Sequence, residues 1–248
     1  MKNMRRRFIS NKTRYEYLTI EAIEAANFSF PNGLQCCKDD VWETYVPSTV
    51  YTIESGKKVF IKGSLGSSSQ IGTFIIKGKC KLSGSCMALV NEGNVNKPTN
   101  NFCFRYLFGG CDSIVEVSKN FLPATNLPMY CYEEMFSGCT SLVNAPELPA
   151  TTLADRCYAS MFKGCTSLVN APELPATTLA DRCYYGMFSD CSKLNKITML
   201  ATNISAPYCL SNWVKNVAST GTFVKHPNMT SLPTGISGIP EGWTVINA

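Results

Sequence analysis

Residues 131–156 read CYEEMFSGCTSLVNAPELPATTLADR and residues 157–182 read CYASMFKGCTSLVNAPELPATTLADR, so two consecutive 26-residue blocks differ at three positions only. A fixed period of this length marks an array in which each unit covers its neighbour's apolar face and cannot bury that face alone. The template continues outward. Cys183, Tyr184, Met187, Phe188, Cys191, Ser192 and Leu194 repeat it one period later, and Cys103, Phe104, Leu107, Phe108, Gly110, Cys111, Ser113 and Ile114 precede it after a 28-residue step. Cys209 lies 26 residues past Cys183, with Trp213 where the Met of the motif belongs. Four units and a degenerate fifth therefore run from about residue 103 to about residue 215.

Within a unit, CysTyrXaaXaaMetPhe places apolar groups at i, i+1, i+4 and i+5, which predicts a short helix. GlyCysThrSer ends it, with Gly138 and Gly164 placed for a left-handed cap. LeuValAsnAla, at 142–145 and 168–171, predicts a short strand that ends before Pro146 and Pro172, because proline has no N–H to give an interior rung. LeuProAlaThrThrLeuAla then returns the chain to the next unit, with Thr152 or Ala154 to Asp155 as candidate caps. The expected fold is an α/β repeat with one short helix and one short parallel strand per unit.

The flanks differ in texture. Residues 1–100 carry short Gly-bounded β-prone runs around Tyr15, Tyr17, Thr19 and Ile20, at Val59 to Ile61, and at Thr73 to Ile76. These predict a β-rich N-terminal domain preceded by a basic tail. Residues 63–70 read as an exposed loop and Asn91–Asn101 as the junction to the array. The array spans 101–215. Residues 216–248, with strand-like runs at 220–224 and 242–246, predict a C-terminal cap.

At 248 residues and 45% apolar content the chain can bury a sizeable core. Its start, MKNMRRRFISNKTRYEYLTIEAIE, is basic but lacks the apolar run of a signal peptide, which predicts synthesis in the cytoplasm without Sec export. No stretch approaches the length of a membrane span, so no membrane insertion is expected. Much of the net charge of +5 sits in Lys2, Arg5, Arg6, Arg7 and Lys12. The run reads as a solvated tail, and without basic and aromatic interleaving elsewhere no nucleic acid is expected as partner.

The thirteen cysteines fall largely into CysX7Cys pairs at 103/111, 131/139, 157/165 and 183/191. Zinc sites use closer pairs, so the columns read as buried thiols that pack as small apolar groups, with no metal and no cofactor. Met135, Met161 and Met187 with Phe136, Phe162 and Phe188 read as core ladders. His226 is the only histidine and no GlyXaaSerXaaGly elbow accompanies it, while Glu147 and Glu173 read as a solvated rung pair. Catalysis is not expected. LeuProAlaThr at 122–125, 148–151 and 174–177 lacks the glycine and apolar tail of a sortase signal.

Binding is expected on the outward face. One candidate set flanks the strand: Val143, Asn144, Glu147, Val169, Asn170 and Glu173. The other comprises the positions that change between the twin blocks, Glu133 and Glu134 against Ala159 and Ser160, and Ser137 against Lys163. These are expected to be exposed, because a core position does not exchange acid for Ala without consequence.

MetPheSerGlyCysThrSerLeu, MetPheLysGlyCysThrSerLeu and the following LeuProAlaThrThrLeuAla resemble the BspA-like leucine-rich repeats of gut Bacteroidetes. The MetArgArgArgPhe start at Met4 to Phe8 and the ending from ThrGlyThrPheValLys to GlyIleProGluGlyTrpThrVal are similar to short repeat proteins of those bacteria and of their bacteriophages. The resemblance implies a leucine-rich-repeat solenoid and a non-enzymatic role in adhesion or protein binding. Together with the signal-less start it points to a bacteriophage virion surface, fibre or receptor-binding protein. Its partners would be a protein or glycan on a host cell surface or other virion proteins, with oligomerisation through the N-terminal domain. The alternatives are a bacterial cell-surface adhesin exported without Sec and, from another class, a carbohydrate-active enzyme.

Overall fold

The apolar pairs of each unit recur every four residues, and the backbone follows the same rhythm. The computed structural model describes residues 17–38, 41–44, 46, 49–65, 72–90 and 100–248. The basic tail with Arg5 to Arg7, residues 66–70 of the expected loop and most of the Asn91–Asn101 junction lie outside the described residues. A left-handed φ falls on Phe102, Tyr106 and Gly110, then on Tyr130, Glu134 and Gly138, then on Arg156, Ser160 and Gly164. It falls again on Arg182, Gly186 and Asp190, and on Tyr208, Asn212 and Asn216. The chain thus winds as successive four-residue turns.

Alternate N–H groups do different work. Those of Ala159, Met161, Lys163 and Cys165 bond back to the carbonyls of Arg156, Tyr158, Ser160 and Phe162 at 3.0–3.2 Å. Those of Tyr158, Ser160, Phe162 and Gly164 bond sideways to the carbonyls of Cys183, Tyr185, Met187 and Ser189 in the next unit at 2.7–3.1 Å. An α-helix satisfies its interior N–H groups within itself. Here half of the donors need a neighbour, so an isolated unit leaves them unpaired.

The expected α/β leucine-rich-repeat solenoid with a short helix per unit is therefore wrong. The chain is β-rich, and its helical segments among the described residues are the 3-10 turns Cys86–Leu89 and Lys119–Phe121. The reason is the period. On an α-helix a face defined every four residues drifts by about 40° per step, whereas a four-residue coil keeps it fixed. Cys157, Tyr158, Met161, Phe162 and Cys165 all stay in the core. Gly138 and Gly164 do take positive φ, as beats of this rhythm and not as helix caps. A non-glycine residue in that region costs about 1–2 kcal/mol, which gives a paired test. Ser160→Gly is expected to stabilise the protein by about 0.5–1 kcal/mol and Gly164→Ala to destabilise it by about 1 kcal/mol in urea titrations.

Ahead of the array lie eight strands: β1 (Leu18–Ala22), β2 (Ala26–Ser29), β3 (Leu34–Lys38), β4 (Val41–Thr44), β5 (Tyr51–Ile53), β6 (Lys58–Gly63), β7 (Ile75–Lys77) and β8 (Cys80–Ser83). Alternation explains β1 and β6. Leu18, Ile20, Val59 and Ile61 face the core, while Glu21 and Lys58 pair outside at 2.9 Å. Strands β5, β2 and β7 form one antiparallel sheet, and β4, β3, β6, β1 and β8 lie in another. Part of the expected 63–70 loop is not exposed: Gly63 closes β6, and Leu65 is buried with its N–H on the Leu89 carbonyl at 2.8 Å.

The segment after residue 72 imitates a repeat unit and starts the stack. Phe74 N–H donates to the Leu107 carbonyl at 2.8 Å, and its ring lies 4.8 Å from that of Phe108. The first unit's strand β9 (Ile114–Val117) adds to β8 in parallel, so the N-terminal sheet runs into the array.

Strand length then depends on one position per unit. In the twin units the expected strands shrink to single parallel bridges, Glu116 to Asn144 and Asn170 to Lys196. Pro146 and Pro172 stand there, where the outer units carry Ser118 and Thr198, and proline denies the ladder a donor. The fourth unit keeps a full strand, β10 (Lys196–Met199), which pairs in parallel with β11 (Thr222–Lys225) and through it with β12 (Thr244–Asn247).

Stacking the units builds two aromatic columns. Phe108, Phe136, Phe162 and Phe188 lie 5.6–5.8 Å apart with their planes within 7° of parallel. Phe104, Tyr132, Tyr158 and Tyr184 follow at 5.6–6.1 Å. Both columns end on Trp213, 6.5 Å from Tyr184 and 6.2 Å from Phe188, and its Nε1–H donates to the Gly238 carbonyl at 2.9 Å.

Candidate binding surface

A scaffold whose interior is consumed by stacking presents chemistry only on its faces. On the strand side Val143 is 47% exposed, Asn144, Asn170, Glu147 and Glu173 are exposed, and Val169 is half-buried. Val143 donates its N–H to the Val115 carbonyl at 2.9 Å, and Val169 offers its carbonyl to Asn195 N–H at 3.0 Å. Glu147 sits 3.9 Å from Lys119 with both side chains in water, a pair worth little.

The coil face carries the other set, and its expected exposure holds for Lys163 alone: Glu133 and Ala159 are buried, and Glu134, Ser137 and Ser160 are half-buried. Glu133 is buried, 5% exposed, between Arg105 of the preceding unit and Arg156 of the next, 3.6 Å away. The position tolerates Ala159 one unit later because the neighbouring Arg182 there bonds Asp181 at 2.7 Å and brings no unpaired charge. Glu134 is half-buried at a left-handed φ, and Lys163 is exposed. Lys163 and Lys215 flank Asp190, whose carboxyl is held below the usual range first by the 2.7 Å hydrogen bond from Asn216 and further by these charges.

The sequence reading missed the aromatic members of this face. Phe102 and Tyr130 stack at 4.4 Å, Arg156 lies 5.7 Å from the Tyr130 ring, and Arg182 lies 4.6 Å from the ring of Tyr208. All five occupy the same left-handed position in successive units. Tyr208 is 61% exposed, Tyr185 40% and Tyr106 43%. Tyr106 lies over Gly109, where a Cβ would run into its ring. Tyr185 and Tyr208 lie outside the twin blocks, so comparing those blocks could not reveal them. No spacing signal marked them: Tyr185 stands where the twin blocks carry Glu133 and Ala159, and nothing in the sequence announces the positive φ of Tyr208.

The thirteen cysteines are buried thiols. One column does more than fill space. Cys111, Cys139, Cys165 and Cys191 donate S–H to the carbonyls of Phe74, Phe108, Phe136 and Phe162 at 3.0–3.3 Å. Among the described residues no group of three His, Cys, Asp or Glu is arranged to hold a metal ion. His226 accepts the Asn228 N–H on Nδ1 at 3.1 Å and closes a turn with Met229. No helix among the described residues is long and apolar enough to cross a membrane.

Burial pushes the thiols of Cys80, Cys111, Cys183 and Cys191 up to about 12. An exposed thiol ionises near about 8.5. The unfolded chain therefore loses these protons first, and the stabilisation, complete below about pH 8.5, is lost as pH rises toward about 12. The urea midpoint is expected to hold between about pH 6 and 8 and to fall progressively above about pH 9. A midpoint unchanged at about pH 11 would contradict this assignment.

Comparison with protein-family models, with curated proteins and with solved structures finds no match to the chain.

Proposed function

We propose that the protein is a non-enzymatic binding module whose stacked units hold the coil face rigid against a partner on a host cell surface. The observation that carries this reading is the ordered row Phe102, Tyr130, Arg156, Arg182 and Tyr208, flanked by exposed Tyr106 and Tyr185. Tyrosine and arginine offer large contact area with few rotors to freeze and dominate recognition surfaces. Here the backbone of each rung is fixed by lateral hydrogen bonds, so little ordering is left to do on binding. The strand-side residues Val143, Asn144, Glu147, Val169, Asn170 and Glu173 are the second candidate face.

The setting we propose, a bacteriophage virion surface, fibre or receptor-binding protein, is supported by the resemblance of the repeat, start and ending to short proteins of gut Bacteroidetes and their phages. Mass spectrometry of purified virions tests it: presence on washed bacterial surfaces with absence from particles would favour a bacterial adhesin instead.

Binding of the labelled protein to intact host cells tests the face. Tyr185→Ala and Tyr208→Ala are each expected to weaken binding about tenfold with stability changed by less than about 0.5 kcal/mol. Val143→Ala and Glu147→Ala are expected to leave binding unchanged. The reverse pattern would move the site to the strand side.

A further inference from the structure

The geometry points to one oxidative crosslink site, Cys103 with Cys131, formed by a disulfide-type oxidant while the other cysteines stay thiols. The two sulfurs lie 3.1 Å apart, buried at matching positions of the first and second units. A disulfide needs about 2.05 Å, so bond formation asks for a closure of about 1 Å between side chains already in register. The backbone holds that register, since the N–H of Phe104 donates to the carbonyl of Cys131 at 3.0 Å.

The other thiols of the array are engaged differently. Cys111, Cys139, Cys165, Cys191 and Cys209 point their sulfurs at backbone carbonyls. Cys157 and Cys183 take backbone hydrogen bonds from Ala154 and Ala180. Ahead of the second unit the matching residue is Pro128, which has no N–H to give, and the Cys131 sulfur meets Cys103 instead. Cys86 is the nearest competitor, buried beside Cys103 and Tyr132.

The step balances with a small symmetrical disulfide as oxidant. One cysteine thiolate attacks it, releasing one small thiol and leaving a mixed disulfide. The second cysteine displaces the other small thiol, so that two S–H bonds and one S–S bond are exchanged for one S–S bond and two S–H bonds. The product ties the unit that meets the N-terminal sheet to the rest of the array.

The full-length protein is incubated with excess glutathione disulfide at about pH 8, then denatured, its remaining thiols alkylated, and digested without reduction. The expected result is loss of two of the thirteen thiols and a linked peptide pair whose fragmentation places the bond at Cys103 and Cys131. Cys86→Ala is expected to keep the bond and Cys103→Ala to abolish it, with circular dichroism confirming that both variants fold. Thirteen alkylated thiols after oxidation, or a bond that uses Cys86, would overturn the assignment.

Discussion

Trp213→Ala is expected to lower stability by about 3–5 kcal/mol, and with it Tm by about 6–20 °C, more than truncation of any exposed tyrosine. The residue is fully buried and terminates both aromatic columns at once, against Tyr184 on one side and Phe188 on the other. Its indole also meets Phe223 of β11 edge-on at 6.1 Å, which ties the array to the C-terminal sheet. Truncation opens a cavity at the one place where no following unit can fill it, and it orphans the Gly238 carbonyl. Trp213→Phe keeps one column covered and is expected to lose about half as much. Thermal unfolding followed by far-UV circular dichroism measures both, and a Trp213→Ala Tm within about 2 °C of the parent would refute the capping role.

Deleting residues 157–182 is expected to leave a protein that unfolds in a single cooperative transition, whereas deleting 158–182 is expected to abolish that transition. The first deletion joins Arg156 to Cys183, the same Arg-Cys junction that the parent has at 182–183. Each sideways N–H then finds the carbonyl it would have met one unit further along. The urea m-value should fall with the surface removed while the curve stays sigmoidal. The second deletion moves every residue after the junction by one position. Left-handed positions then fall on the wrong residues, buried side chains point outward, and the alternation of inward and sideways N–H groups is inverted along the rung. Urea titration with intrinsic fluorescence distinguishes the two outcomes.

Both expectations depend on a rhythm that the sequence displayed and that a helical reading passed over. CysTyrXaaXaaMetPheXaaGlyCys carries its apolar pairs at a strict four-residue interval, and Gly138 and Gly164 stand in phase with it. Over nine residues a 3.6-residue helix and a four-residue coil are hard to tell apart by spacing alone. The glycine was the clue: it occupies the third beat of a left-handed series whose first two beats, such as Arg156 and Ser160, carry ordinary side chains. Nothing in the propensity of Arg or Ser announces a positive φ. Lateral hydrogen bonds to Asp181 and Tyr185 in the next unit impose it.

The binding surface divides in the same way. The exposed strand-side residues were readable, because Val143 and Asn144 follow a buried Leu142 in a short extended segment. The burial of Glu133 was not, since it depends on Arg105 and Arg156 from two other units meeting one carboxylate. The row that joins Phe102, Tyr130, Arg156, Arg182 and Tyr208 was hidden because no two neighbours in it are closer than 26 residues in the chain.

By itself the sequence determined the period and the Cys, Met, Phe and Leu positions of the core that recur with it, because apolar spacing and repetition are local properties of the chain. The tertiary structure alone decided that the units wind as four-residue turns and not as helices, which acid is buried, and which two thiols touch. Those outcomes depend on hydrogen bonds, ion pairs and contacts between units, and a backbone that leaves half of its donors for a neighbour takes its conformation from that neighbour.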